Sequence, residues 1–320
     1  MTKLFRTMIV VWLASLAQVA VASPGQDSVN VYLRNAGKLL LAKKYPQAQE
    51  LYQDVLRLDP DNFEAIKNLG VIYSALGDQK QARANFERAY AIDSSEAELN
   101  NNLGVLCSNE GNSTEAIRYF ESAVRLDSNS AVYLTNLGQE YSKINRRSKA
   151  IEALQRAHRL KPDSPLILFS LGSNFAAVDM LDSAEVYFDQ SAAAGGATGQ
   201  LFYFLGTVKR RLGKLEEAEQ SFMRALSIDP KHKDCLQSLG MLYASQHRYA
   251  QAAEQARRLV AMDSAYYAAW ILLGASYALQ DKTAQADTIL RKLFVVDSSL
   301  GFQMLDFITE QHRKRQGRDK

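Results

Sequence analysis

Little in this sequence suits catalysis or metal binding. Only 4 histidines and 2 cysteines occur in 320 residues. His158, His232, His247 and His312 are scattered, with none four residues from another and none beside a cysteine. That excludes zinc-ligand spacing. There is no G-x-S-x-G, Walker A or glycine-rich dinucleotide motif. Carboxylate pairs such as Glu216-Glu217 fall in polar helical stretches and read as solvated faces. The chain therefore reads as a non-enzyme with no cofactor and no metal. Charge is nearly balanced too: 38 basic against 35 acidic residues leave +3, to which Lys3 and Arg6 contribute. So small an excess gives no electrostatic case for nucleic acid as a partner. The one basic cluster, Arg313, Lys314, Arg315, Arg318 and Lys320, reads as a solubilising end, with a docking tail for an acidic surface as the alternative.

Long apolar runs are also missing, with one exception. Met8 to Ala22 is interrupted only by Ser15 and Gln18, follows Lys3 and Arg6, and ends in Ala20-Val21-Ala22 before Ser23-Pro24-Gly25. A positive start, a short apolar stretch and a small-x-small site describe a secretory signal peptide over residues 1–22. The run is shorter than the ~20 residues a membrane span needs. No cysteine near the cleavage site offers a lipid anchor. The expectation is an exported protein, periplasmic or extracellular, with an uncleaved anchor as the alternative. Residues 23–28 read as a short linker.

What the chain does have is a period. Leu-Gly recurs with glycine at 70, 104, 138, 172, 206, 240 and 274, each 34 residues after the last. Alanine recurs beside it at 48, 82, 116, 150, 184, 218, 252 and 286. A fixed period in this range marks one supersecondary unit stacked on copies of itself. Within residues 131–164, Leu134, Leu137, Gly138 and Tyr141 fall at three- and four-residue steps, which is one face of a helix. Asn145-Arg146-Arg147 is a polar turn, and Ile151, Leu154, Ala157 and Leu160 form a second stripe. Each unit is thus a helix pair. Glycine costs about 1 kcal/mol against alanine inside a helix, so its recurrence needs a packing reason. Close approach of the facing helix is that reason, with the alanine ladder expected as the other half of the contact. Cys107 and Cys235 fall in the third and seventh units. Units that far apart in a stack do not bring Cα atoms within the ~7 Å a disulfide requires, so no internal disulfide is expected, and Cys107, where other units have Tyr73, Tyr141, Phe175, Tyr243 and Tyr277, reads as a buried thiol.

The pattern resembles the tetratricopeptide repeat. The second unit shows Ile66, Leu69-Gly70, Tyr73, Gly77, Ala82, Phe86 and Ala89; the fourth shows Leu134, Leu137-Gly138, Tyr141, Ala150, Leu154, Ala157 and Pro162. The eighth has Trp270 at the first position of the pattern. The first unit departs from it, with Asn35-Ala36 in place of Leu-Gly. The proline that ends a unit stands at 60, 162 and 230, and gives way to Ser94, Ser128, Ser264 and Ser298, serines able to cap the next helix. The resemblance implies an all-α, right-handed α-solenoid of stacked helix-turn-helix repeats. Eight repeats are expected at 29–62, 63–96, 97–130, 131–164, 165–198, 199–232, 233–266 and 267–300. A capping helix and basic tail follow at 301–320. The glycine-rich junction from Ser191 to Gly199 reads as a plain turn, with a hinge as the alternative.

In this family the first helix of each unit lines a concave groove, and the resemblance implies that surface here. The position two before the ladder glycine reads Asn68, Asn102, Asn136, Ser170, Phe204 and Ser238. The one before it reads Lys67, Asn101, Thr135, Phe169, Tyr203 and Gln237. Amides dominate the first half, joined by Gln139, and aromatics the middle. A carboxamide offers both donor and acceptor and so bonds a peptide backbone without reading its side chains. Lys67, Asn68, Asn101, Asn102, Asn136, Gln139, Phe169, Tyr203 and Phe204 are the expected peptide-binding residues. The family's two-carboxylate clamp is not supported, because Val71, Val132 and Asn136 stand where Asn, Lys and Arg are needed. The expected function is a non-enzymatic scaffold that grips an extended segment of a protein partner in envelope assembly or secretion. The alternative is a self-assembling structural oligomer with no peptide ligand.

Overall fold

The computed structural model describes residues 24–318, which leaves the expected signal segment outside the described residues. They form seventeen helices and no strand. By internal packing the chain divides into residues 1–140 and 141–320. The first unit holds α1 (Pro24–Leu41), α2 (Tyr45–Leu58), α3 (Phe63–Ala75), α4 (Gln79–Ile92), α5 (Ala97–Asn109) and α6 (Ser113–Leu126). The division falls inside α7 (Ala131–Lys143). The second unit holds α8 (Arg147–Leu160), α9 (Pro165–Ala177), α10 (Leu181–Ala193), α11 (Gly199–Arg211) and α12 (Leu215–Ile228). It continues with α13 (Lys233–Ser245), α14 (Tyr249–Met262), α15 (Tyr267–Ala278), α16 (Thr283–Val296) and α17 (Ser298–Arg318). Within residues 24–126 and within residues 147–318, each first helix packs on its own second helix, and that helix packs on the next first helix. This is the all-α solenoid the period predicts. Two boundaries differ from expectation. The supposed linker is already helical, because Pro24 opens α1 with its φ preset and Asp27 sits in the first turn. The last helix starts at Ser298 rather than 301.

Turn chemistry repeats with the same period. A left-handed residue sits between the helices of each pair at Lys43, Gly77, Gly111, Asn145, Asp179, Gly213, His247 and Asp281, with φ between 57° and 84°. Between pairs, the carboxylates of Asp93, Asp127, Asp229, Asp263 and Asp297 each accept from the backbone N–H two residues on, at 2.8–3.0 Å. The serines expected to cap the following helices at 94, 128 and 264 do not do so, and Ser298 lies within α17. Capping falls two residues after the position that ends each unit, on Asn62, Glu96, Ser130, Thr198 and His232. The aspartate turn uses up the intervening residues, which places the cap beyond the serine.

The glycine ladder has its packing reason, but its partner is not the alanine ladder. A Cβ added at Gly70, Gly104, Gly172 or Gly206 would lie 2.5–2.7 Å from Cδ1 of Phe86, Phe120, Phe188 or Phe222. Each of these rings stands sixteen residues on and is at most 2 % exposed. The alanines are fully buried on the same helices at a different level, except Ala286 at 5 %. Where the ring is replaced by Ala256, Leu272 of the next pair fills the space against Gly240, with Cδ2 at 2.8 Å from the added Cβ. Met304 of α17 does the same against Gly274. In the first pair Ala36 and Tyr52 take the two places, both fully buried. The glycine-rich junction is a packed turn. Gly195 has φ +91°, and a Cβ on Gly196 would meet Pro165 Cβ and Ser191 Oγ at 2.8 Å.

Candidate functional site

The first-helix face of residues 24–140 is polar and cross-linked. Lys67 of α3 reaches the start of α5 and pairs with Glu96 at 3.1 Å and Glu98 at 2.8 Å. Burial works against its charge, but the hydrogen bonds to Glu98 and Glu96 outweigh it and hold the ammonium above its ordinary pKa. Asn101 of α5 is 8 % exposed, and its Oδ1 accepts from Asn136 Nδ2 of α7 at 2.8 Å. Asn68 and Gln139 are half-buried on α3 and α7. Asn102 is half-buried on α5, and its Nδ2 is buried without a hydrogen-bond partner. The amides of the row lie on the first helices α3, α5 and α7. Sequence reasoning missed that Lys67, before Asn68, and Asn101, before Asn102, are spent on the next repeat, whereas Thr135, before Asn136, donates to the Ala131 carbonyl of its own helix. It also missed Asn100, 1 % exposed, whose Nδ2 donates to the carbonyls of Ser94 and Glu96 and ties the turn to α5. Glu140, 2 % exposed, accepts from Ser108 Oγ at 2.6 Å.

The face of residues 141–318 carries different chemistry. Phe169 of α9 lies 5.7 Å from Phe204 of α11 and 5.7 Å from buried Phe188. Tyr203 lies 5.6 Å from Phe204 and 4.9 Å from His232. The three predicted aromatics are therefore one half-buried cluster across two neighbouring first helices. Leu166 of α9 and Met241 of α13 are apolar side chains exposed on first helices of the same unit, 55 % and 43 % accessible. The hydroxyls on this face are occupied: Ser173 donates to the Phe169 carbonyl and Thr207 to the Tyr203 carbonyl, both at 2.9 Å. In the same unit an ion network joins Lys209 to Glu217 at 3.0 Å and Lys214 to Glu185 at 2.6 Å. The amide residues all lie in residues 1–140 and the aromatic ones in 141–320. The three aromatics touch one another, and among the amides Asn101 and Asn136 do.

Elsewhere, a hollow of about 510 Å³ opens beside His158, Pro162, Asp163, Leu168 and Gln190. The buried thiols Cys107 and Cys235 are free. Burial pushes the Cys235 thiol up to about 12. Among the described residues no group of three or more His, Cys, Asp or Glu side chains is placed to hold a metal ion. No helix among them is long and apolar enough to cross a membrane.

Three family models match the sequence. Tetratricopeptide repeat models match residues 39–89 and 95–163, and the middle TPR-like domain of cilia and flagella-associated protein 70 matches 168–293. No curated protein matches. Among solved structures, pilF of Pseudomonas aeruginosa superposes with a TM-score of 0.61 at 19 % identity, over 67 % of this chain and 97 % of that one. PilW, a widely conserved type IV pilus biogenesis factor, gives 0.58 at 23 % identity, over 66 % and 98 %. YrrB, a TPR protein with an unusual peptide-binding site, gives 0.50 at 20 % identity, over 63 % and 98 %. At these identities the likeness concerns the fold. Families of this kind are protein-interaction modules. The chain belongs to the tetratricopeptide repeat superfamily, and its fold is that of a protein-interaction scaffold.

Proposed function

We propose that this scaffold is non-enzymatic, works outside the cytoplasm, and holds an extended peptide segment of a partner along its first-helix faces. Envelope assembly or secretion is the setting. The observation that carries the reading is the amide row of α3, α5 and α7. Asn68, Asn102 and Asn136 occupy the same repeat position, half-buried, one per 34 residues. First helices stand about 8–10 Å apart, and an extended chain advances ~3.3 Å per residue. The row then meets a bound backbone about every third residue. A buried donor left unpaired costs ~1–3 kcal/mol, and Asn102 Nδ2 is such a donor. The amide torsion of asparagine is soft, so that group turns outward onto a peptide carbonyl at little cost. The peptide-binding site of YrrB and the pilus role of PilW agree in kind with this reading.

Panning a random extended-peptide library against the mature chain tests it. The wild type enriches peptides, and Asn68→Ala/Asn102→Ala/Asn136→Ala loses that enrichment with helicity unchanged. Equal enrichment by the triple variant overturns the amide row as the binding surface. Export has its own measurement. Protein from cell fractions should lie outside the cytoplasm and begin at Ser23; a cytoplasmic pool starting at Met1 refutes it.

A further inference from the structure

We infer that the hollow beside His158 receives an arginine side chain from a partner protein. Its lining comes from α8, the turn after α8, the start of α9 and the end of α10. It shares no residue with the amide row or the aromatic cluster, so the inference goes beyond the reading above and does not rest on it. The period of the chain identifies the occupant.

Gln190 of α10 holds the repeat position of Arg88, Arg156, Arg224, Arg258 and Lys292. Four of those five cations have a defined seat. Arg88 donates to the Pro60 carbonyl and pairs with Asp61 at 3.3 Å, and Arg258 donates to the Pro230 carbonyl at 3.1 Å. Arg224 lies over the Phe202 ring, 4.2 Å from Cζ to the centroid, and Lys292 over the Trp270 ring, 3.6 Å from Nζ. Pro162 is the counterpart of Pro60 and Pro230, Asp163 that of Asp61, and Leu168 that of Phe202 and Trp270. All three line the hollow, together with Gln190 itself. The hollow is therefore where other repeats seat a basic side chain of their own.

The end of α10 opens that seat to a partner. Ala194 holds the position at which α2, α4, α6, α8 and α12 end in Leu58, Ile92, Leu126, Leu160 and Ile228. α10 stops one residue short of that position, at Ala193. Two short side chains, Ala193 and Ala194, line the hollow there, and about 510 Å³ is left open. Ser122 is also short at the cation position, but its repeat keeps Leu126.

The lining is rich in acceptors. Neither the Pro162 carbonyl nor the Asp163 carboxylate takes a hydrogen bond among the described residues. His158 stands where other repeats have Leu56, Tyr90, Val124 and Leu226, and its Nδ1 is buried with no hydrogen-bond partner. An unprotonated ring nitrogen accepts, as does the Gln190 amide oxygen. A guanidinium brings five N–H donors in a planar fork and keeps its charge, so it serves several acceptors at once. Its stem is apolar and suits Leu168, Pro162 and Ala193. Asp163 is exposed, so its ion pair adds modestly and the carbonyl and amide contacts share the work.

The test pans a random peptide library against the mature full-length chain and against Gln190→Arg, an exposed change that restores the cation of the other repeats. The wild type is expected to enrich arginine at one peptide position, and Gln190→Arg to lose that enrichment by filling the seat from within. The best arginine peptide, labelled and read by fluorescence anisotropy, should bind at least about tenfold more tightly than its citrulline counterpart, which keeps the shape and drops the charge. Asp163→Asn should weaken the arginine peptide about two- to fivefold. Absence of arginine enrichment overturns the inference, as does equal affinity for arginine and citrulline. Arginine enrichment that survives Gln190→Arg but disappears in Asn68→Ala/Asn102→Ala/Asn136→Ala places the basic peptide on the amide row and overturns this inference alone.

Discussion

Gly206 and Phe222 form the smallest working part of this architecture. An added methyl on Gly206 would sit 2.7 Å from the ring. Gly206→Ala therefore gains about 1 kcal/mol in helix propensity and loses more to overpacking, which costs ~1–3 kcal/mol. A lower urea midpoint is the expected result. In a double-mutant cycle with Phe222→Leu the two penalties should fall short of additive, since the smaller side chain makes room; strict additivity would mean the contact is not what excludes the methyl. The opposite sign is expected at Lys43, whose φ of 57° is left-handed in a residue with a Cβ. Lys43→Gly removes that strain and should stabilise by about 0.5–1 kcal/mol, read from thermal melting. The ladder's existence was legible in the sequence, but its partner was not. Phenylalanine and alanine recur on the second helix with the same period, so periodicity cannot say which one faces the glycine. Only the depth of the rings in the pair decides it. The Cys107 thiol was legible as buried from its repeat position; Cys235 is buried as well. Cys235, raised to about 12 by desolvation and donating to the Phe222 carbonyl at 3.3 Å, should resist a thiol reagent at pH 8 until denaturant is added.

At the level of the helix, ends matter more than middles. Helix pairs and their faces followed from apolar steps of three and four. Caps did not, because the choice between Ser94 and Glu96 depends on an aspartate turn at Asp93 that was visible in the sequence and went unread. Nor did the links between helices, such as Asn136 to Asn101, which depend on the stagger of neighbouring first helices. One such link sets a pH dependence. Arg248, opening α14, grips Glu219 of α12 at 2.5 and 2.8 Å, and Tyr243 donates to the same carboxylate at 2.9 Å. The Arg248 hydrogen bond lowers the Glu219 pKa against the opposing effect of burial. Because the folded value lies below the ordinary 4.5, this stabilisation is full above that pH and is lost as pH falls through the folded value. Glu219→Gln should melt lower than the wild type at pH 7 and lose less on going to pH 3. A wild-type-like acid dependence in that variant would remove Glu219 from the account.

For the molecule as a whole, packing between near neighbours makes stability a sum of local parts. Trp12 and Trp270 are the two tryptophans, so a chain processed at Ser23 keeps Trp270 alone. That ring packs under Lys292, 3.6 Å from Nζ to the centroid, and its Nε1 donates to the Ser264 carbonyl at 3.0 Å. It reports on the last repeats, while circular dichroism reports on every helix. Fluorescence is expected to change at lower urea than the helical signal, because end repeats have fewer neighbours. Coincident curves would mean that the chain unfolds as a single block.

The contacts of the glycine ladder reach either sixteen residues ahead, within one pair, or into the pair that follows. Excising or duplicating 34 residues hands each glycine a partner of the same kind. Losing one residue from a helix turns every later side chain of that helix by about 100°. Length in this protein is therefore quantised, like the treads of a stair: it can be edited by whole steps and by nothing smaller.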